Sequence, residues 1–333
     1  MPARREPSPD VTAELAARWP RLQRRAELLR QLREFFHERG FTEVETPLLE
    51  PEVIVEEHLD PLWLTLYRDP ARPHQGPQWF LQCSPELGMK RLLAAGAKAI
   101  FQITRAFRAG EQGRWHHVEF TMLEWYRCGD TQEEALGRLS DLVQRVLNLP
   151  PAKVFSYREL FQQYLNIDPW QATSAELRQG AIDAGLEVPA SWDEADRDLW
   201  LQWLFAERIE PELGAEGPAI VFGFPPSQAV LARVSGQPPV AERFELFVHG
   251  VELANGYHEL SDAEELLRRM HQANQRRRRL GKPELPIPHG LIEVHRRGVP
   301  DCWGVALGLD RLVALALGAE SITEVMAFPE PRA

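Results

Sequence analysis

A mixed α+β domain built on a central antiparallel β-sheet flanked by helices is the fold this sequence predicts, on three observations. Strand-like and helical segments interleave without the regular βαβ alternation of a parallel sheet. From Phe107 to Tyr126 (FRAGEQGRWHHVEFTMLEWY), an apolar strand ends at an arginine, a polar loop follows, and a second strand returns carrying a carboxylate. From Gly304 to Gly318 (GVALGLDRLVALALG), a glycine-rich strand runs directly into a helix.

Met1 to Asp10 is rich in Pro and charge, and residues 1–20 are expected to be a mobile segment ahead of a single domain, 21–333. From Leu22, apolar residues recur at helical spacing (Ala26, Leu29, Leu32, Phe36) until Gly40 stops the helix, and a strand follows. Ser84-Pro85 can cap a helix running through Lys90 and Leu93, with Glu86 in its first turn as a dipole partner. Asp130 to Leu149 reads as an amphipathic helix ended by Pro150-Pro151. Ser156 to Leu213 reads as mostly helical, with Trp170, Trp192, Trp200 and Trp203 as packing residues. Ala219 to Phe224 is a short apolar strand, and Ala241 to Val248 with Val251 to Ala254 is a hairpin turning at His249-Gly250. A helix starting near Ser261-Asp262 ends in Arg276-Arg277-Arg278-Arg279, where cations complement the helix dipole. A solvated helix end is the preferred reading of this run, ahead of a docking site for an acidic protein or RNA.

Composition bounds the function. The chain has 333 residues, 44% hydrophobic and 26% charged, enough for a sizeable core in one soluble domain. No apolar run reaches the eighteen residues of a spanning helix, and the arginine-rich start lacks an export signal, so the expected location is the cytoplasm. Cys83, Cys128 and Cys302 form no CxxC pair and suit a reducing compartment as ordinary buried thiols. A net charge of −11 points away from a broad polyanion-binding surface.

The chemistry-bearing residues suggest an ATP-dependent carboxylate activator. Arg108 at its strand end would neutralise charge developing on the α-phosphate. Glu124 and Tyr126, two apart on a strand and so on one face, would hold a cationic substrate beside it. Arg311 falls at the strand-to-helix junction, where a nucleotide's backbone can approach closely.

With Gly40-Phe41-x-x-Val44-x-x-Pro47, these two segments resemble motifs 1, 2 and 3 of the class II aminoacyl-tRNA synthetases, in the same order. FLQCSPELGMKRLL (Phe80 to Leu93), FTMLEWYR (Phe120 to Arg127) and GVELANGYHEL (Gly250 to Leu260) resemble the substrate-binding segments of the lysyl branch, so the similarity covers nearly the whole chain. The resemblance implies the class II catalytic core, ATP and Mg2+ as co-substrate and cofactor, and a homodimer formed through motif 1. It implies catalytic roles for Arg108 and Arg311, and substrate contacts from Ser84, Pro85, Glu86, Glu124, Tyr126, Glu259 and Ala306. ATP contacts are implied for Arg108, Glu111, His117, Glu252, Leu253, Gly308 and Arg311, and metal contacts for Glu252 and Glu259. Several carboxylates around one pocket suit a diamino acid.

Lysyl-tRNA synthetases typically have alanine at the position of Ser84 and glycine at that of Ala306. The branch that modifies elongation factor P has serine and alanine there, as this chain does. Likeness to that branch implies activation of (R)-β-lysine, or lysine, as an adenylate and transfer to a lysine ε-amine of elongation factor P. The anticodon-binding β-barrel expected in lysyl-tRNA synthetases is not expected here, where about two dozen residues precede the core, so tRNA is an unlikely partner. Motif 2 departs from the family at Gly110, where a glutamate is common and Glu111 comes one step later. It departs again at His116-His117-Val118, in place of His-Asn-Pro. This leaves the adenine side of the site open, and His117 with two readings, nucleotide donor or structural histidine. A truncated synthetase acting on tRNA, an asparagine-synthetase-like enzyme and a non-catalytic regulatory paralogue remain open at this point.

Overall fold

The computed structural model describes residues 11–189, 192 and 196–329. Helix α1, Val11–Glu38, starts well before Leu22. The expected mobile segment is therefore corrected for residues 11–20, and its first ten residues lie outside the described ones. Cations fix this early turn: Arg18 donates to the carbonyl of Thr323 at 2.6 Å, and Arg21 pairs with Glu324 at 2.5 Å. The face that α1 buries is Leu28, Leu32, Phe35 and Phe36, while Ala26 is exposed, so the helical period was right and its phase partly wrong. Gly40, at φ +76°, ends the run in a conformation that costs other residues more.

Strand β1, Thr42–Glu43, precedes a small antiparallel sheet of β2 (Leu49–Glu50), β3 (Trp63–Thr65) and β4 (Gln78–Leu81), in the order β2-β4-β3. Helix α2, Glu86–Ala94, starts after Ser84, whose Oγ accepts from the Glu86 amide at 3.1 Å. Strands β5 (Ala99–Phe107) and β6 (Glu119–Cys128) form the long hairpin foreseen around Arg108. Helix α3, Gln132–Leu147, opens on a capping box between Thr131 and Glu134 and closes on Asn148 in the left-handed region, two residues before the prolines.

Strand β7, Lys153–Ser156, leads into α4 (Tyr157–Leu165), α5 (Ser174–Asp183) and α6 (Arg197–Leu204). Helix α6 continues through a π-helical turn, Phe205–Ile209. Trp192, Trp200 and Trp203 meet edge to face with ring centroids 4.9–6.0 Å apart, a packing cluster. Strands β8 (Ala219–Phe224), β9 (Val234–Ser235), β10 (Val240–Val248) and β11 (Val251–His258) follow. The β10–β11 turn has positive φ at both His249 and Gly250, matching a primed hairpin turn. Helix α7, Ala263–Arg279, is capped by Asp262, and α8 (His289–Gly298), β12 (Cys302–Gly308) and α9 (Leu309–Ala316) complete the order.

The main sheet runs β1-β5-β6-β12-β11-β10-β8-β7, with β9 beside β10; it is antiparallel except at its ends, where β1–β5 and β7–β8 are parallel. Leu123, Trp125, Val305 and Leu307 pack with α1, α3 and α9 in the largest core. Alternation sends Glu124, Tyr126, Gly304 and Ala306 to the opposite face. That face carries the site.

Arg277 corrects the reading of the arginine run as a solvated end. It is fully buried, donating to the carbonyls of Glu56 and Leu59 at 3.1 and 2.9 Å and pairing with Asp60 at 2.8 Å. Asp60 would keep Lys282 at 2.8 Å, but the carbonyls of Glu56 and Leu59 would lose their buried donor, so Arg277→Met should cost about 1–3 kcal/mol in chemical denaturation. Arg278→Met, at an exposed arginine paired with Glu284, should cost under about 1 kcal/mol.

Candidate active site

The open face of the sheet forms the floor of a cavity of about 310 Å³. Register builds this floor: Ala306 lies opposite Glu124 on one side and Asn255 on the other, and Gly304 lies opposite Tyr126 and Tyr257. Every expected site residue lines the cavity except Pro85, which instead occupies the cap position before α2.

One end is acidic and dry. Glu124, 2% exposed, accepts from Ser84 Oγ at 2.7 Å and from the Tyr126 hydroxyl at 2.6 Å. Burial pushes its carboxyl up to about 8 and Glu86 adds to this, while the Tyr126 and Ser84 hydrogen bonds oppose it. Tyr126 is also raised, by burial and then by Glu124. Glu259 is raised to about 7 by burial against the pull of Lys90. Lys90, absent from the sequence-based site, bridges Glu86 at 2.5 Å and Glu259 at 2.8 Å. Its position four residues after Glu86 on a helix was the available signal.

The other end carries the arginines. Arg108 ends β5, lies over the Phe120 ring at 5.0 Å and stands 3.6 Å from Glu111; its Nε is buried without a hydrogen-bond partner. Arg311 on α9 donates to the carbonyls of Trp115 (3.0 Å) and Glu252 (2.7 Å), and its Nη2 meets His116 Nε2 at 2.8 Å. It thereby ties α9 to the loop between β5 and β6. Burial lowers His116, as does the Arg311 charge, so its ring is neutral at pH 7. His117 Nδ1 lies 2.7 Å from the Glu119 carbonyl, a local contact that fixes its ring. Leu253 and Gly308 line the same end.

The metal assignment needs correction. Glu252 and Glu259 are separated by seven residues of extended chain, roughly 23 Å at about 3.3 Å per residue, too far to share an ion. Glu259 is also held by Lys90. Glu210 and Glu245 both feel the Glu252 charge, and of these Glu245, on β10, faces the cavity beside Arg243. Burial raises Glu245 to about 7, Arg243 opposing and Glu252 adding. No group of three or more His, Cys, Asp or Glu side chains able to hold a metal occurs among the described residues. Two carboxylates completed by nucleotide phosphates would suit Mg2+.

Comparison with known proteins bears on this geometry. The model of the tRNA synthetases class II (D, K and N) matches residues 17–332. The chain belongs to this family. Proteins named elongation factor P--(R)-beta-lysine ligase from Salmonella paratyphi B, Salmonella schwarzengrund and Salmonella dublin are each 45% identical to it over 327 residues, 98% of this chain and 100% of theirs. A class II synthetase core is therefore the fold, and ligase chemistry is the class of activity.

Besides Lys90 and Glu245, sequence reasoning missed Asp310. Buried, it accepts from the Thr121 amide at 2.6 Å and pairs with Arg25 at 2.6 Å, locking α1 and α9 to β6. No motif marks it, since its partners lie far away in sequence.

The raised carboxyls have a thermal consequence. Glu124 at about 8, and Glu245 and Glu259 at about 7, bind protons more tightly folded than unfolded. Their contribution to stability is full below the unfolded carboxyl pKa and is lost as pH rises through the folded values. The melting temperature should fall between pH 6.5 and 8.5, above the range where His116 and buried His295 act oppositely; a flat or rising curve in scanning fluorimetry would contradict the assignment.

Proposed function

We propose that this chain activates (R)-β-lysine with ATP as an adenylate and transfers the lysyl group to a lysine ε-amine of elongation factor P. The observation that carries this is the acidic pocket in which Ser84 and Tyr126 both donate to Glu124 with Ala306 directly opposite, in a chain 45% identical along its length to ligases of that name. Glu86, Glu124 and Glu259 would receive the two ammonium groups. Arg108 and Arg311 would face the charge that develops as the carboxylate attacks the α-phosphorus. Glu111, His117, Leu253 and Gly308 would line the nucleotide. Glu252 and Glu245 would hold Mg2+, which would neutralise phosphate charge and so ease the departure of pyrophosphate. The working form is a cytoplasmic homodimer joined through Gly40 to Pro47, with no use of tRNA.

Intact mass of elongation factor P after incubation with this protein, Mg2+, ATP and either lysine isomer tests the reading, with unfractionated tRNA assayed alongside. A gain of one lysyl group that needs ATP is expected. Lysyl-tRNA without modified protein would identify a minimal synthetase instead. Ala306→Gly removes the methyl beside Glu124 and should move selectivity toward α-lysine by about tenfold; an unchanged ratio of kcat/KM values would remove Ala306 from the specificity argument.

A further inference from the structure

We propose that Lys90 is a positioning residue, a built-in counter-ion that offsets the charge of Glu86 and Glu259 and keeps both aimed into the pocket so that it is ready for a doubly cationic amino acid. This rests on the function proposed above and deepens it.

Glu86, Glu124 and Glu259 are three buried carboxylates lining one cavity, and such a set cannot stay fully ionised unaided. Lys90 is 1% exposed and lies behind the wall that Glu86 and Glu259 form, bonded to both. Three carboxylates and one ammonium leave two negative charges, the complement of the two ammonium groups on a lysine isomer. Both bridging carboxylates are also fixed in place, because Lys90 projects from a short helix whose start is anchored by Ser84, itself bonded to Glu124.

The groups around Lys90 leave it charged. Burial alone would lower it, but Glu259 and then Glu86 outweigh that and raise it. His295 on α8 is kept neutral by burial and by Lys90 itself. Cys302 on β12 is a thiol held protonated, and Tyr126 with Glu124 stands on β6. Lys90 is thus the cation of the cluster, and Glu124, whose partners are hydroxyls, is the carboxyl left to lose its proton when an ammonium arrives.

The test is calorimetric binding of (R)-β-lysine and α-lysine at pH 7.5 in two buffers of different ionisation enthalpy, which counts protons released per ligand. Wild type should release about one proton or fewer, Lys90→Met about one more, and Lys90→Arg the wild-type number. Affinity of Lys90→Met should fall about tenfold or more, with the KM for ATP within threefold of wild type. If Lys90→Met lowers the melting temperature but leaves affinity and proton count unchanged, Lys90 is merely structural and the proposal is overturned. If that variant does not fold, wild type decides: a count near two overturns the proposal, and one or fewer supports it. Absence of binding by either isomer overturns the proposed function and this proposal with it, whereas binding with an unmoved count overturns only the role of Lys90.

Discussion

Replacing Arg108 with methionine should lower lysine-dependent pyrophosphate exchange by about 100- to 1,000-fold, the scale seen when one preorganised donor to a developing charge is removed. The backbone is fixed on both sides of the residue: its amide donates to Val118 at 2.9 Å, and the Ala109 amide donates to Asp60 at 2.7 Å. The guanidinium itself is lightly held, by the Phe120 face and a 3.6 Å approach to Glu111, with Nε unpartnered. A donor that the protein positions but leaves unsatisfied is suited to an incoming anion. Arg311 contrasts with it, because three of its contacts go to the protein. Arg108→Met should therefore spare the fold, shifting the melting temperature by less than about 2 °C, whereas Arg311→Met should lower both activity and stability. Exchange by Arg108→Met within threefold of wild type would remove Arg108 from the chemistry.

What could be read in the sequence was whatever had a local cause. The β5–β6 hairpin and the β10–β11 turn carry their signals in the residues that form them. Helix α3 is bounded by Thr131 with Glu134 at one end and by Asn148 before Pro150-Pro151 at the other. The small sheet β2-β4-β3 was not foreseen, since strands of two to four residues are too short to show a period. The start of α1 was missed because its first turns are held by Arg18 and Arg21 reaching the turn at Ile322–Val325 rather than by an apolar stripe. Arg277 shows the same limit. Four consecutive arginines look alike in sequence, and only the fold decides which one points inward to the loop at Glu56–Asp60. In the site, motif resemblance found the residues but not their grouping. Glu252 and Glu259 look adjacent in a short motif, yet an extended strand carries them to opposite ends of the cavity, where one faces Glu245 and the other Lys90.

That strand geometry also explains why a single methyl group at Gly304 should disable the acidic end. A Cβ there would sit 2.3 Å from Glu259 Oε1 and 2.4 Å from Tyr126 Cε1, closer than real Cβ contacts allow. Neither neighbour is free to yield. Glu259 is bonded to buried Lys90, and Tyr126 is anchored by its hydroxyl to Glu124, so accommodating the methyl means breaking one of these contacts or parting β6 from β12. Overpacking of this kind costs about 1–3 kcal/mol. If that strain falls on the bound state, the KM for the lysine isomer should rise about 10- to 100-fold in Gly304→Ala. The KM for ATP should stay within threefold, because Arg108 and Arg311 stand at the far end. Gly137→Ala on α3, where nothing lies within 4 Å of the added carbon, is the matched control and should leave both constants unchanged. Equal increases in both KM values for Gly304→Ala would mean a general loss of structure instead of a closed pocket, and an unchanged lysine KM would show that this end of the cavity does not hold the amino acid.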